Sequence, residues 1–138
     1  MQILYTADAT AWGGREGRVA SSDGVLDAQL AISKAMGGPG GEATNPEQLF
    51  AAGYAACFHS ALKLVARKDG VDVSESAVTA RVSLGVDEVG GFNLAVELEA
   101  ELPDVDPALA QKLVGQAHQV CPYSNATRGN VEVTLTIV

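Results

Sequence analysis

Cys57 and Cys121 are the only cysteines among 138 residues, and they are the residues here best suited to covalent chemistry. Taken singly, each reads as packing, because free cysteine is among the most buried residue types and usually behaves as a small, inert hydrophobe. Cys57 sits inside the apolar run Leu49 to Phe58, and Cys121 sits in Val120-Cys121-Pro122-Tyr123, where the chain must turn. Two thiols in a reducing compartment point to redox or metal chemistry more readily than to a structural disulfide. If the two sulfurs meet, Cys57 can be oxidised to a sulfenic acid that Cys121 condenses with to give a disulfide. The spacing alone leaves open whether they meet.

A thiolate inside an apolar helix is penalised by desolvation, so a reactive Cys57 needs a nearby cation. The candidates are Arg15, Arg18, Lys63, Arg67, Arg81 and Arg128. Arg15 follows Gly13-Gly14, a flexible approach that lets a guanidinium fold inward, although by itself it reads as a solvated loop arginine. Glu47 falls in the first turn expected for a helix, where a carboxylate complements the helix dipole. Ten residues of continuous helix separate it from Cys57, a rise of about 15 Å. Glu47 and Cys57 of one chain are therefore not expected to touch. Two such helices packed antiparallel across a dimer, each lending its Glu47 to the other's Cys57, is the simplest geometry that unites them.

The same residues suggest a zinc site as an alternative. His118 and Cys121, at i,i+3, share a helix face, and His59 follows closely on Cys57. The i,i+2 spacing, however, turns His59 roughly 160° from Cys57 while that helix is intact. Neither glycine-rich segment, Gly13 to Gly17 or Gly37 to Gly41, has the ending of a phosphate loop or the spacing of a dinucleotide fingerprint. No metal and no bound cofactor is expected.

The elements that must position these residues are legible from local signals. Asn45 caps a helix with Pro46 at its first position and Gln48 placed as in a capping box. That helix runs to about Lys68, before Gly70, and its first half is apolar on nearly every face, as in a helix buried on all sides. Gly53 and its alanine neighbours suggest close approach of another backbone. Strands are expected at Gln2–Thr6, Gly17–Ser21, Val25–Ile32, Val78–Val86, Phe92–Leu102 and Val131–Val138. Met36 to Ala43, with four glycines and a proline, reads as loop. Asp106-Pro107 caps a second helix that Pro122 limits. The order βββ-α-ββ-α-β, with strands in blocks, favours the α+β class in a single domain, 1–138.

Composition narrows the function. Nine basic against 17 acidic residues give a net charge of −8, so no basic face is available for nucleic acid or an anionic membrane surface. The N-terminal MQILYTADAT lacks the basic and apolar regions of a signal peptide, and no apolar run approaches membrane length, so a cytoplasmic setting is expected. With 47% hydrophobic residues in a small chain, surplus apolar surface points to an oligomer.

Beyond these local signals, Asn45-Pro46-Glu47-Gln48-Leu49-Phe50-Ala51-Ala52-Gly53-Tyr54-Ala55-Ala56-Cys57-Phe58 resembles the reactive-cysteine helix of the Ohr/OsmC family. Val120-Cys121-Pro122-Tyr123-Ser124-Asn125-Ala126-Thr127-Arg128-Gly129-Asn130 resembles the second-cysteine segment of its organic hydroperoxide resistance branch. The resemblance extends over nearly the whole chain, including Tyr5-Thr6-Ala7, Gly13-Gly14-Arg15 and Ser21 to Leu26. It implies an intertwined α+β homodimer with a long apolar central helix and active sites at the interface. It implies Cys57 as peroxidatic thiolate, Cys121 as resolving thiol, and Arg15 with Glu47 as the charged pair organising the site. It further implies alkyl and fatty-acid hydroperoxides as substrates, and an external dithiol as reductant, a dihydrolipoyl group or lipoylated protein.

Overall fold

The structure, a computed structural model, describes Met1 to Val138 and divides into two compact units, Met1–Leu49 and Phe50–Val138. It is α+β in the expected order, with one additional helix.

The first unit carries a three-stranded antiparallel sheet of β1 (Ala9–Trp12), β2 (Arg18–Ser21) and β3 (Asp27–Gln29), in that order. The expected strand at Gln2–Thr6 is absent, and β1 lies further along. Side-chain propensity favours Ile3, Leu4 and Tyr5, but a strand exists only where it is paired. The tight turn after Trp12 sets that pairing, with Trp12 opposite Arg18 and Ala9 opposite Ser21. Gly13 and Gly14 adopt left-handed φ values of 74° and 57°, which other residues rarely adopt. Gly17 is fixed for a different reason, since a Cβ there would fall 1.7 Å from the carbonyl oxygen of Trp12. The third expected strand shrinks to β3, after which Leu30 makes an isolated bridge to Thr44. Leading into the glycine-rich stretch, Lys34–Met36 forms a single 3-10 turn.

Helix α1 spans Pro46–Lys68, the bounds the local signals indicate. Asn45 Oδ1 accepts the Gln48 N–H at 2.8 Å, a side-chain N-cap. The capping box is not reciprocated: Gln48 Oε1 instead accepts the Thr44 hydroxyl. At the far end Gly70, at φ 68°, turns the chain, and the Val71 N–H closes onto the Ala66 carbonyl in a six-to-one bond.

In the second unit, α1 packs by one stripe: Tyr54, Phe58, Ala61, Leu62, Val65 and Ala66 are buried. Their i, i+4, i+7, i+8 spacing is that of an amphipathic helix, so the expectation of burial on all sides does not hold within the chain. Ala52 and Ala56 face outward. The stripe meets Val96, Leu98 and Ala100 of β5 (Phe92–Glu101) and Ala110, Leu113, Val114 and Ala117 of α2 (Pro107–Val120). α1 is long and apolar enough to cross a membrane, yet its stripe is the core of this unit.

β5 is central in a mixed sheet, antiparallel to β4 (Ala77–Val86) and parallel to β6 (Glu132–Ile137). Pro122 ends α2 as expected, but it also opens a short helix, α3 (Pro122–Thr127), that the sequence reading lacks. Proline suits both tasks, because it cannot continue a helix yet fits the first position of the next.

Asp106 caps α2 by accepting the N–H groups of Ala108 and Leu109 at 3.1 and 3.3 Å. Asp106→Ala should therefore lower stability by about 1 kcal/mol, read as a lower urea midpoint with an unchanged slope. An unchanged midpoint would remove the cap from the account.

Candidate active site

Cys57 lies on α1, one turn after Tyr54, and Cys121 is at once the C-cap of α2 and the N-cap of α3. That double role fixes its backbone at φ −64°, ψ 122°, extended between two helices. Its sulfur is buried and stands 3.7 Å from the half-buried Cys57 sulfur. Both are free thiols, within reach of one another. The structure thus joins the two cysteines that the sequence could not connect.

Burial is the largest influence on Cys57 and pushes its thiol above the ordinary range. The backbone N–H of Tyr123 opposes this by donating to the sulfur, while the Cys121 thiol reinforces the rise. Left to these influences, the sulfur stays protonated, which is the difficulty foreseen for a thiolate in an apolar helix.

Arg15 is paired rather than free. Its Nη1–H and Nη2–H donate to Glu47 Oε2 and Oε1 at 2.8 and 2.7 Å, a bidentate pair within the first unit. The Arg15 hydrogen bonds hold the Glu47 carboxyl below its ordinary range, against the opposing effect of burial. A depressed folded-state value means that the pair stabilises above the ordinary glutamate range and is lost as pH falls through the depressed value. The turn from Gly13 to Gly17 supplies the geometry, with Arg15 in a one-turn 3-10 helix at Gly14–Glu16.

Three other candidate cations have partners of their own. Arg18 pairs with Asp27 and lies over the Trp12 ring, and Arg81 pairs with Glu99 and Glu97 on the polar face of the second sheet. Arg128 donates to the Asn125 side chain and the His118 carbonyl. Lys63 and Arg67 are exposed on α1.

The histidines go to serines. His59 Nε2 bonds Ser76 Oγ at 3.0 Å and His118 Nδ1 bonds Ser124 Oγ at 2.8 Å. No three His, Cys, Asp or Glu side chains converge in the way a metal ion requires.

Sequence reasoning missed the polar cluster beneath Cys121. The buried Tyr54 hydroxyl bonds Ser124 Oγ at 2.9 Å and Thr127 Oγ1 at 3.1 Å, tying α1 to α3. The signal was present in the spacing, for Tyr54 precedes Cys57 by three and Ser124 follows Cys121 by three, placing each beside its cysteine on a helix. Gly53 likewise admits a side chain rather than the backbone expected: a Cβ there would lie 3.3 Å from the Tyr123 ring. That ring packs against Tyr54 at a tilt of 56°, with centroids 5.8 Å apart.

The family model described as OsmC-like protein matches residues 38–136. The chain is 56% identical over 137 residues to an organic hydroperoxide resistance protein of Xanthomonas axonopodis pv. citri, covering 99% of this chain and 96% of that one. It is 50% identical over 135 residues to the organic hydroperoxide resistance protein OhrB of Bacillus subtilis, covering 97% and 98%. The crystal structure of an organic hydroperoxide resistance protein from Elizabethkingia anophelis, with thiocyanate bound, is similar at TM-score 0.93 and 54% identity, covering 99% of this chain and 98% of that one.

Arg15→Ala should raise the titration midpoint of the Glu47 carboxyl, followed by its carbon NMR signal, towards the ordinary glutamate range. A midpoint that does not move would mean the pair does not form in solution.

Proposed function

The chain belongs to the Ohr/OsmC family, in its organic hydroperoxide resistance branch, and on that premise we propose that it is a two-cysteine peroxidase for organic hydroperoxides. The observation that carries this reading is the pair of free thiols 3.7 Å apart, one half-buried and one buried. The names of the relatives support a role in removing hydroperoxides, and the thiol pair supplies a chemistry for it.

In this reading the Cys57 thiolate attacks the distal peroxide oxygen. The O–O bond breaks, the alkoxide takes up the proton that Cys57 shed on ionising and leaves as the alcohol, and Cys57 becomes a sulfenic acid. Cys121 attacks that sulfur, water departs, and the Cys57–Cys121 disulfide forms. A dithiol, proposed to be dihydrolipoyl on a small molecule or a protein, reduces the disulfide and resets both thiols. Arg15 is the cation that favours the Cys57 thiolate and the charge developing on the peroxide oxygens. Glu47 orients its guanidinium through the bidentate pair. No cofactor is retained by the protein in this cycle, and the cytoplasm is the proposed setting.

The assembly proposed is an intertwined homodimer, each copy a single functional domain of 1–138. Glu47 binds its own chain's Arg15, and ten residues of continuous helix carry Cys57 about 15 Å beyond Glu47. The pair therefore suits the Cys57 of a second copy. The outward Ala52 and Ala56 give α1 a face on which a second copy can pack. An apolar substrate pocket favours alkyl chains over hydrogen peroxide, since each buried CH₂ contributes roughly 0.8 kcal/mol.

Turnover of a fatty-acid hydroperoxide with dihydrolipoamide should exceed turnover of hydrogen peroxide or turnover with glutathione. Cys57→Ser should abolish it, and full activity in that variant would end the assignment. Dimers mixed from Cys57→Ser and Arg15→Ala chains should regain part of the activity that each homodimer lacks, because one site then holds an intact cysteine and the partner's intact arginine. Mixed dimers as inactive as their parents would place Arg15 in the site of its own chain or outside the site.

A further inference from the structure

The polar cluster beneath Cys121 has a direction that follows from counting protons. Four hydrogen bonds link it. His118 Nδ1 meets Ser124 Oγ at 2.8 Å, Ser124 Oγ meets Tyr54 OH at 2.9 Å, and Tyr54 OH meets Thr127 Oγ1 at 3.1 Å. The Thr127 hydroxyl then donates to the Ser124 carbonyl at 3.2 Å. Each hydroxyl carries one proton. Thr127 uses its own on the carbonyl, so it accepts from Tyr54. Tyr54 then has none for Ser124 and accepts from it. Ser124 must in turn accept from His118, whose Nδ1 therefore carries hydrogen. Burial, and after it the charge of Arg128, lowers the affinity of His118 for a second proton, so the donor is a neutral ring in its Nδ1–H form.

The chain of donors crosses the joint that carries the buried sulfur. His118 is in the last turn of α2, Ser124 and Thr127 are in α3, and Cys121 is the single residue between those helices. Tyr54 anchors the far end to α1, one turn from Cys57. Reversing or cutting the chain frees α3 to shift on α1 and carries Cys121 with it. We propose that His118 is a positioning residue for Cys121: its Nδ1–H sets the direction of a hydroxyl chain that seats α3 and holds the second sulfur beside the first. This rests on the reading of Cys57 and Cys121 as the pair that peroxide oxidises, and it adds the group controlling the disulfide-forming step.

Three substitutions test it. His118→Asn keeps an N–H donor near the Nδ1 position, His118→Leu has no donor, and His118→Asp offers only acceptors when ionised. After one equivalent of cumene hydroperoxide, the Leu and Asp variants should consume peroxide at the wild-type rate yet close the disulfide about tenfold more slowly. A dimedone-trapped sulfenic acid should accumulate in them, and His118→Asn should restore closure. The equilibrium of the Cys57–Cys121 disulfide with dithiothreitol should shift towards the thiols by a similar factor in the Leu and Asp variants only. Wild-type closure and equilibrium in His118→Leu, or an Asn variant as impaired as Leu, would overturn the proposal. Should His118→Leu fail to fold, Tyr54→Phe cuts the same chain while keeping the ring, and the same two readouts decide. If cumene hydroperoxide left Cys57 unreacted in every protein, the peroxidase reading would fall, and the dithiothreitol equilibrium would still judge His118.

Discussion

The proposed chemistry asks a sulfur to ionise in a helix whose neighbours cannot solvate it, and the remaining requirements of the site follow from that conflict. Burial pushes the Cys57 thiol upward, and the Tyr123 N–H only partly opposes it. A single neutral donor cannot replace the hydration of a thiolate, so a charged group must complete the site. Arg15, held by two short bonds to Glu47, is the group proposed for that task. The carboxylate offsets part of the guanidinium's charge and fixes its orientation, and two of the five guanidinium N–H groups serve Glu47.

The second sulfur is governed by backbone rather than by charge. Cys121 ends one helix and begins the next, so its position follows from how α2 and α3 meet. A disulfide S–S bond is about 2.0 Å long, and the thiols already stand 3.7 Å apart, so closure asks for a small local shift and no large rearrangement. The same proximity makes closure sensitive to the joint. Tyr54, Ser124 and Thr127, all buried, and the half-buried His118 meet at that joint, their polar atoms bonded to one another.

Features specified by neighbours in sequence were legible. Asn45, Pro46 and Gly70 bound α1, and Asp106-Pro107 opened α2, because caps act within a turn of where they occur. The desolvation that pushes the Cys57 thiol upward was also legible, since it follows from the apolar run around it. Features specified by pairing were not. Ile3, Leu4 and Tyr5 look like a strand, yet the turn at Gly13 to Gly17 recruits Ala9–Trp12 instead. Pro122 reads as a stop, and its second use as a start depends on α3 finding partners on α1. The apolar excess of α1 is real, but only one stripe of it is buried in the chain. Tyr54 and Ser124 are 70 residues apart, so although each sits three residues from a cysteine, that their hydroxyls bond one another depends on the packing of α3 on α1.

The account stands or falls on Cys57 being an anion at neutral pH despite its burial. The rate of Cys57 alkylation by iodoacetamide, followed against pH in the assembled wild-type protein by mass spectrometry, reads that ionisation directly. A midpoint well below the roughly 8.5 of a free cysteine, moving upward in Arg15→Ala, is the predicted result. A midpoint at or above that of a free thiol, indifferent to Arg15, would contradict it.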